Sequence, residues 1–287
     1  MYQSTIERIA EQAQTKAAYL ERMPFGYLIL SVLAGAYLAF GVTLIYCVGA
    51  PFAADGAAAQ KLVMGCAFGV ALTLVIFAGS ELFTGNNMVC AIGAFNEAIP
   101  WRMVGRIWSV SLIGNLAGSL GLAWLVTQSG VLSQAPQSDL LFKAVAAKMS
   151  LSGWELFIRG ILCNWLVCLA VWTASRTSSD TAKLLLIFWC LLAFIGSGFE
   201  HSIANQSLLA MALFLPHPDA ITWNGFVWNQ TWVIIGNIVG GSVFVGGLYW
   251  MAAEQRESVT DGSRDSVLVN RYAKETLVIG QPLQHDK

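Results

Sequence analysis

The strongest constraint on this chain is a succession of long apolar stretches with almost no charge in them. A helix that crosses the hydrocarbon core of a bilayer needs about 20 apolar residues. Phe25 to Gly49 is the first such stretch and is uncharged throughout. Leu62 to Asn96 follows, interrupted only by Glu81, then Ile107 to Thr127 and about 155–175. Leu184 to Leu215 and Thr231 to Ala253 complete the set. Of the 287 residues only 11% are charged, where a soluble domain carries about 25%. The chain therefore reads as an all-α polytopic membrane protein with six transmembrane helices. A formal net charge of -1 gives no basis for a nucleic-acid partner.

Two stretches are too long and too interrupted to be single straight spans. The second breaks at Gly79-Ser-Glu-Leu-Phe-Thr-Gly85, which predicts half-helices over about 63–78 and 86–96. The fifth breaks at 197–202, inside Gly196-Ser-Gly-Phe-Glu-His-Ser-Ile-Ala-Asn205, where Glu200 and His201 stand side by side. Broken helices are tolerated at membrane depth where the backbone is buried in protein or lines a cavity. An ionisable pair there marks a functional site by default.

The remaining segments are polar. Residues 1–23 alternate charged residues with Ile6, Ile9, Ala10, Ala17 and Leu20, the pattern of an amphipathic helix at the membrane surface. Residues 128–153 read as a polar loop, and 254–287 as a flexible tail. Lys and Arg near the span ends gather on the side of residues 1–23, Arg102, Arg106, Arg176 and the tail, which predicts both termini in the cytoplasm. Lys143 and Lys148 are exceptions that need a reason to lie on the other side.

Gly114-Asn-Leu-Ala-Gly118 in the third span matches Gly236-Asn-Ile-Val-Gly240 in the sixth, each at a similar distance after a broken span. Two repeats of three spans, about 24–127 and 155–253, are implied. An odd number of spans per repeat makes the second copy enter from the opposite face, an inverted repeat with its site near the midplane. The glycines themselves read as small-residue faces for close helix approach.

Four polar residues are candidates at the centre. His201 is the one histidine at membrane depth; its imidazole can exchange a proton or donate a hydrogen bond to an anion. Glu200 either sets the imidazole tautomer or points away and caps a half-helix. Thr84 offers a hydroxyl on the opposing break, where a half-helix N-terminus suits an anion. Asn164 sits in mid-span, where an interhelical hydrogen bond is its plain role. Leu82 and Phe83, lying in a break, can form a hydrophobic constriction. Lys148 either raises anion concentration at a vestibule or is an ordinary loop lysine. A membrane-embedded enzyme using Glu200 and His201 would need a nucleophile or metal-ligand set opposite them, and Cys163 and Cys168 supply no such pattern. No metal site or cofactor is expected.

Leu82-Phe-Thr-Gly85, Asn164-Trp-Leu-Val-Cys-Leu-Ala-Val-Trp172, Ser197-Gly-Phe-Glu-His-Ser-Ile-Ala-Asn205 and Gly236-Asn-Ile-Val-Gly240 together resemble the formate/nitrite transporter family. The likeness covers about residues 1–253. Leu72-Thr-Leu-Val-Ile-Phe-Ala-Gly-Ser-Glu-Leu-Phe-Thr-Gly85 and Trp189-Cys-Leu-Leu-Ala-Phe194 look most like its nitrite-channel branch. The resemblance implies an aquaporin-like protomer and a homopentamer with one pore per protomer in the bacterial inner membrane. His201 would be the central pore histidine, with Thr84 and Asn164 as its hydrogen-bonding neighbours. Lys148 would draw anions in. Leu72, Leu82, Phe83, Phe194 and Phe68 would form apolar constrictions on either side. Ser80 and Glu81 would belong to the mobile loop of the second span. The expected cargo is nitrite with linked protons; formate and hydrosulfide are the alternatives within the same fold.

Overall fold

The computed structural model describes residues 2–253, and those residues are helical apart from short turns. The tail expected from Glu254 lies outside the described residues. The helices are α1 (Gln3–Arg22), α2 (Pro24–Ala54), α3 (Gln60–Leu74, closed by a wide π-type turn Val75–Gly79) and α4 (Phe83–Phe95). They continue as α5 (Trp101–Gln128), α6 (Gln137–Ser150), α7 (Gly153–Ala174), α8 (Asp180–Ser197), α9 (Ser202–Phe214) and α10 (Trp223–Val239, continued by a π-type stretch Gly240–Gly247). Six helices are long and apolar enough to cross a membrane: α2, α3 with its π turn, α5, α7, α8, and α10 with its continuation. Their outer faces carry exposed Phe25, Phe40, Trp154, Trp189 and Val227. Such faces would be a liability in water but match hydrocarbon.

Both breaks are present, with tighter bounds than the sequence suggested. The unwound residues are 80–82 and 198–201, and α4 starts at Phe83 instead of position 86. Gly79 and Gly198 adopt φ +79° and +76°, which only glycine takes at little cost, and each ends its half-helix in the left-handed conformation. The second halves, α4 and α9, have 13 residues each and are buried at every position but the last. They cannot span alone; they form the centre of the bundle, encased by the long helices.

Three other segments differ from expectation. The loop expected at 128–153 holds α6, which buries Leu141 and Val145 and packs on α2, α9 and α10. Its amphipathic spacing is masked by the short length and by Lys143 and Lys148. The sixth span begins at Trp223, not Thr231, because the Thr222 hydroxyl caps it by accepting the Gly225 N–H at 3.0 Å. The first span runs past Gly49 to Ala54.

The glycines matched between the repeats bring helices into backbone contact. A Cβ on Gly118 of α5 would collide with the Val32 carbonyl of α2, and one on Gly240 with the Ile161 carbonyl of α7. The asparagines beside them do a different job, which the repeat did not reveal. Asn115 donates to the carbonyls of Ser31 (2.7 Å) and Glu81 (2.9 Å) and accepts the Phe83 N–H (2.8 Å). Asn237 donates to those of Gly160 (2.8 Å) and Glu200 (3.0 Å) and accepts the Ser202 N–H (2.9 Å). Each side chain thus ties one break to the start of its second half-helix and to a neighbouring span. The Glu81 and Glu200 N–H groups complete the set by donating to Leu30 and Arg159 carbonyls, both at 3.2 Å.

Asn237→Leu should leave a buried N–H and two carbonyls short of partners, at about 1–3 kcal/mol for each unsatisfied group. A lower unfolding temperature in detergent, with loss of folded protein at 37 °C in the extreme, is the expected reading. Gly118→Ala should lower stability by about 1–3 kcal/mol through forced backbone separation, while Gly121→Ala, with open space around it, should leave the unfolding temperature unchanged.

Candidate functional site

Each break carries a glutamate facing away from the centre. Glu81 accepts from Lys16 of α1 at 2.7 Å on both oxygens, from the Tyr27 hydroxyl at 2.7 Å and from the Asn86 amide at 3.1 Å. Glu200 accepts from Lys148 of α6 at 2.8 Å on both oxygens and from the Asn205 amide at 2.6 Å. The Glu200 side chain is only 2% exposed, so its charge must be paired to be tolerated there. Glu200 therefore points away from the imidazole and holds Lys148, and its contact with α9 is to the Asn205 side chain and not to a backbone N–H of the first turn. Lys148 lies where the Lys/Arg distribution made it an exception because this carboxylate needs it.

The two breaks are built to one plan: Gly79-Ser-Glu-Leu and Gly198-Phe-Glu-His, with an asparagine five residues after each glutamate. The N-cap of α4 is Leu82 and that of α9 is His201. His201 Nδ1 accepts the Ala204 N–H at 3.2 Å, so in the neutral ring the proton resides on Nε2. Nε2 lies 3.1 Å from Thr84 Oγ1 in the first turn of α4. This contact brings the N-terminal ends of α4 and α9, with the positive ends of their dipoles, to one point at the centre of the bundle. Phe194 stacks on the imidazole at 5.9 Å between ring centroids, and Phe68 meets Phe194 edge-on at 5.6 Å.

Asn164 does not reach His201. Its two amide N–H groups are shared among three acceptors, the Asn237 carbonyl (2.6 Å), the Thr84 carbonyl (3.1 Å) and Asn87 Oδ1 (3.1 Å). It ties α7 to both repeats behind Thr84.

Two cavities approach this centre from opposite sides and share no lining residue. One, of about 600 Å³, is bordered by Arg8, Lys16, Lys183 and Glu81 and ends at Leu72 and Leu82. The other, of about 240 Å³, is bordered by Lys61 and Lys148 and ends at Phe68, Phe194 and His201. Leu72 and Leu82 thus face one cavity and Phe68 and Phe194 the other, all four nearly fully buried. Phe83 is buried and borders neither cavity. Ser80 and Glu81 border the larger cavity.

Sequence reasoning missed Lys16, Tyr27, Asn86, Asn205, Asn115 and Asn237. The signal was available in the glycine–glutamate–asparagine spacing that both breaks share. The repeat pairs Glu81 with Glu200, but the lysine partner of each lies far away in the sequence.

Residues 3–251 match the family described as "Formate/nitrite transporter". The chain is 42% identical over 257 residues to the nitrite transporter NirC of Salmonella typhimurium, covering 90% of this chain and 94% of that one. It is 38% identical over 260 residues to a probable formate transporter of Methanothermobacter thermautotrophicus, covering 84% and 94%. Among solved structures it superposes on an FNT family ion channel with TM-score 0.82 and 42% identity, covering 87% of this chain and 98% of that one. A pentameric formate channel with formate bound gives TM-score 0.69 at 28% identity, covering 81% and 98%. These relatives are transporters and channels, which sets aside the membrane-enzyme alternative. The chain is a multi-pass membrane protein, and it belongs to the formate/nitrite transporter family.

Proposed function

We propose that this protein conducts nitrite through one pore per protomer, from the Lys16-side cavity past His201 to the Lys148-side cavity. The observation that carries the reading is the Thr84–His201 contact at 3.1 Å, set between two cavities and flanked by Leu72 and Leu82 on one side and Phe68 and Phe194 on the other. A monovalent anion arriving there meets the Thr84 hydroxyl, whose oxygen accepts the Nε2–H and whose O–H is free to donate, the imidazole Nε2–H itself once the anion displaces that contact, and the positive ends of two half-helices. A bare charge crosses the apolar slits at high cost, and a neutral acid far more cheaply. Nitrite, the anion of a weak acid, can pass either way.

Nitrite is preferred over formate because the relatives named for nitrite reach 41–42% identity, against 38% for the one named as a probable formate transporter. Hydrosulfide stays a cargo to compare by flux. The Lys/Arg distribution supports placing α1 and the Lys16-side cavity in the cytoplasm, in the inner membrane of a bacterium. The pentameric assembly of the formate channel supports a homopentamer here. Residues 1–23 then form a cytoplasmic surface helix, 24–253 the channel domain and 254–287 a cytoplasmic tail.

His201 acts in this reading as a neutral hydrogen-bond donor. With Nδ1 engaged by the Ala204 N–H, transfer of the Nε2 proton to the anion would leave an imidazolate unless Nδ1 first gave up its cap. The proton that accompanies nitrite is therefore supplied by water in the cavities. Proteoliposome flux of nitrite, formate and hydrosulfide between pH 5 and 8 tests both parts. Nitrite should move fastest. His201→Gln, which keeps an N–H donor, should retain nitrite flux within about tenfold with the wild-type pH dependence, while His201→Phe should lose more than about tenfold. Equal loss in both variants would show that the ring must transfer its proton.

A further inference from the structure

The half-buried lysines at the cavities are the obvious anion collectors, yet the structure leaves each of them neutralised. Lys16 and Lys148 have both carboxylate oxygens of Glu81 and Glu200 within 2.7 and 2.8 Å. Lys183, also at the larger cavity, lies 2.8 Å from Asp180. Among the described residues, each cavity mouth keeps one cation without a carboxylate in ion-pair range: Arg8 at the larger cavity and Lys61 at the smaller. Both are exposed.

We infer that Arg8 and Lys61 are the residues that recruit permeating anions, one at each mouth, and that Lys16 and Lys148 serve chiefly to neutralise the glutamates of the breaks. This assignment rests on the channel reading above.

Arg8 is placed for the task. Its Nη1 donates to the Ser175 carbonyl, which pins the guanidinium against the turn after α7 and leaves most of its five N–H donors free. Arg176 returns the tie by donating to Thr5 Oγ1 at 3.0 Å and lying over the Tyr2 ring. Arg8, Gln12 and Lys16 form one stripe along α1 at helical spacing, and all three border the cavity. Eight residues of helix put Arg8 about 12 Å from Lys16 along α1. Arg8 is exposed and Lys16 only partly so, which makes Arg8 the cation of the stripe most open to anions from solvent.

The smaller mouth repeats the geometry with other chemistry. Leu140, Ala144 and Lys148 form the corresponding stripe of α6 and also border their cavity. Leu140 occupies the position of Arg8 in this stripe, so the recruiting charge comes from Lys61 at the start of α3 instead. Glu7 and Glu11, neighbours of Arg8 on α1, do not border the cavity.

A charge at one mouth limits current only when supply of anions to that mouth is limiting. The test is therefore nitrite current at large applied potentials, in bilayers with channels oriented by an N-terminal tag, which marks the Lys16 side. In about 20 mM salt, Arg8→Gln should cut current about two- to fourfold for the polarity that draws anions in past Arg8, and little for the other. Lys61→Gln should rectify in the opposite sense. Arg8→Lys should keep wild-type current, and Leu140→Arg should raise current drawn through the smaller mouth. All four differences should vanish near 1 M salt, where the screening length falls to about 3 Å.

Arg8→Gln and Lys61→Gln channels with wild-type currents in both polarities would overturn the assignment. Nitrite flux with no current would overturn anion recruitment and leave nitrite transport standing. A wild-type protein that moves no nitrite, by flux or by current, would overturn the channel reading itself.

Discussion

The structure depends on one requirement: unwound backbone at membrane depth must find every hydrogen bond inside the protein. A continuous helix meets this by itself; a broken one exposes amides and carbonyls that lipid cannot serve. Here Asn115 and Asn237 meet the demand, each with two donors and one acceptor engaged. Because the asparagine must lie close to two neighbouring backbones, the helices that carry it must approach closely as well. Gly118 and Gly240 allow that approach. The Gly-Asn-x-x-Gly pattern is thus one device in which the glycines set the distance and the asparagine uses it.

The second requirement is charge. A carboxylate at each break is tolerable only if paired, since an isolated buried charge costs several kcal/mol. Both partners come from short amphipathic helices at the mouths, Lys16 from α1 and Lys148 from α6. The structural unit that repeats is therefore larger than three spans. It is a surface helix, a span, a broken span and a further span, and the surface helix belongs to it because it neutralises the break.

Much of this could be read from the sequence. The number of spans, both breaks and the centre at Thr84 and His201 follow from hydrophobic run length and from polar residues where lipid forbids them. What escaped depends on short or long-range features. The 14 residues of α6 bury only Leu141 and Val145, too few to stand out from a loop. Lys16 lies 65 positions from Glu81, so no local pattern links them. His201 carries a signal from composition alone, but the engagement of its Nδ1 is a matter of cap geometry that no residue count supplies.

The matched repeats also locate function by where they fail to match. The glycine, the glutamate and the asparagine clamp are identical in both halves, as expected for parts that hold the scaffold. Some of the differing positions border the two cavities or form the contact between them. Leu82 and His201 occupy the same N-cap position, one apolar and one polar. Thr84 lies in the first turn of α4, where the corresponding turn of α9 carries Ile203. Arg8 and Leu140 stand at the same place in the two mouth stripes. A symmetric pore lined by two leucines would offer an anion no donor at its centre, and one capped by two histidines would hold the anion between paired donors. In the proposed channel, one polar and one apolar cap would leave a single station for the anion, in keeping with the condition for conduction that binding be favourable enough to admit an ion and weak enough to release it.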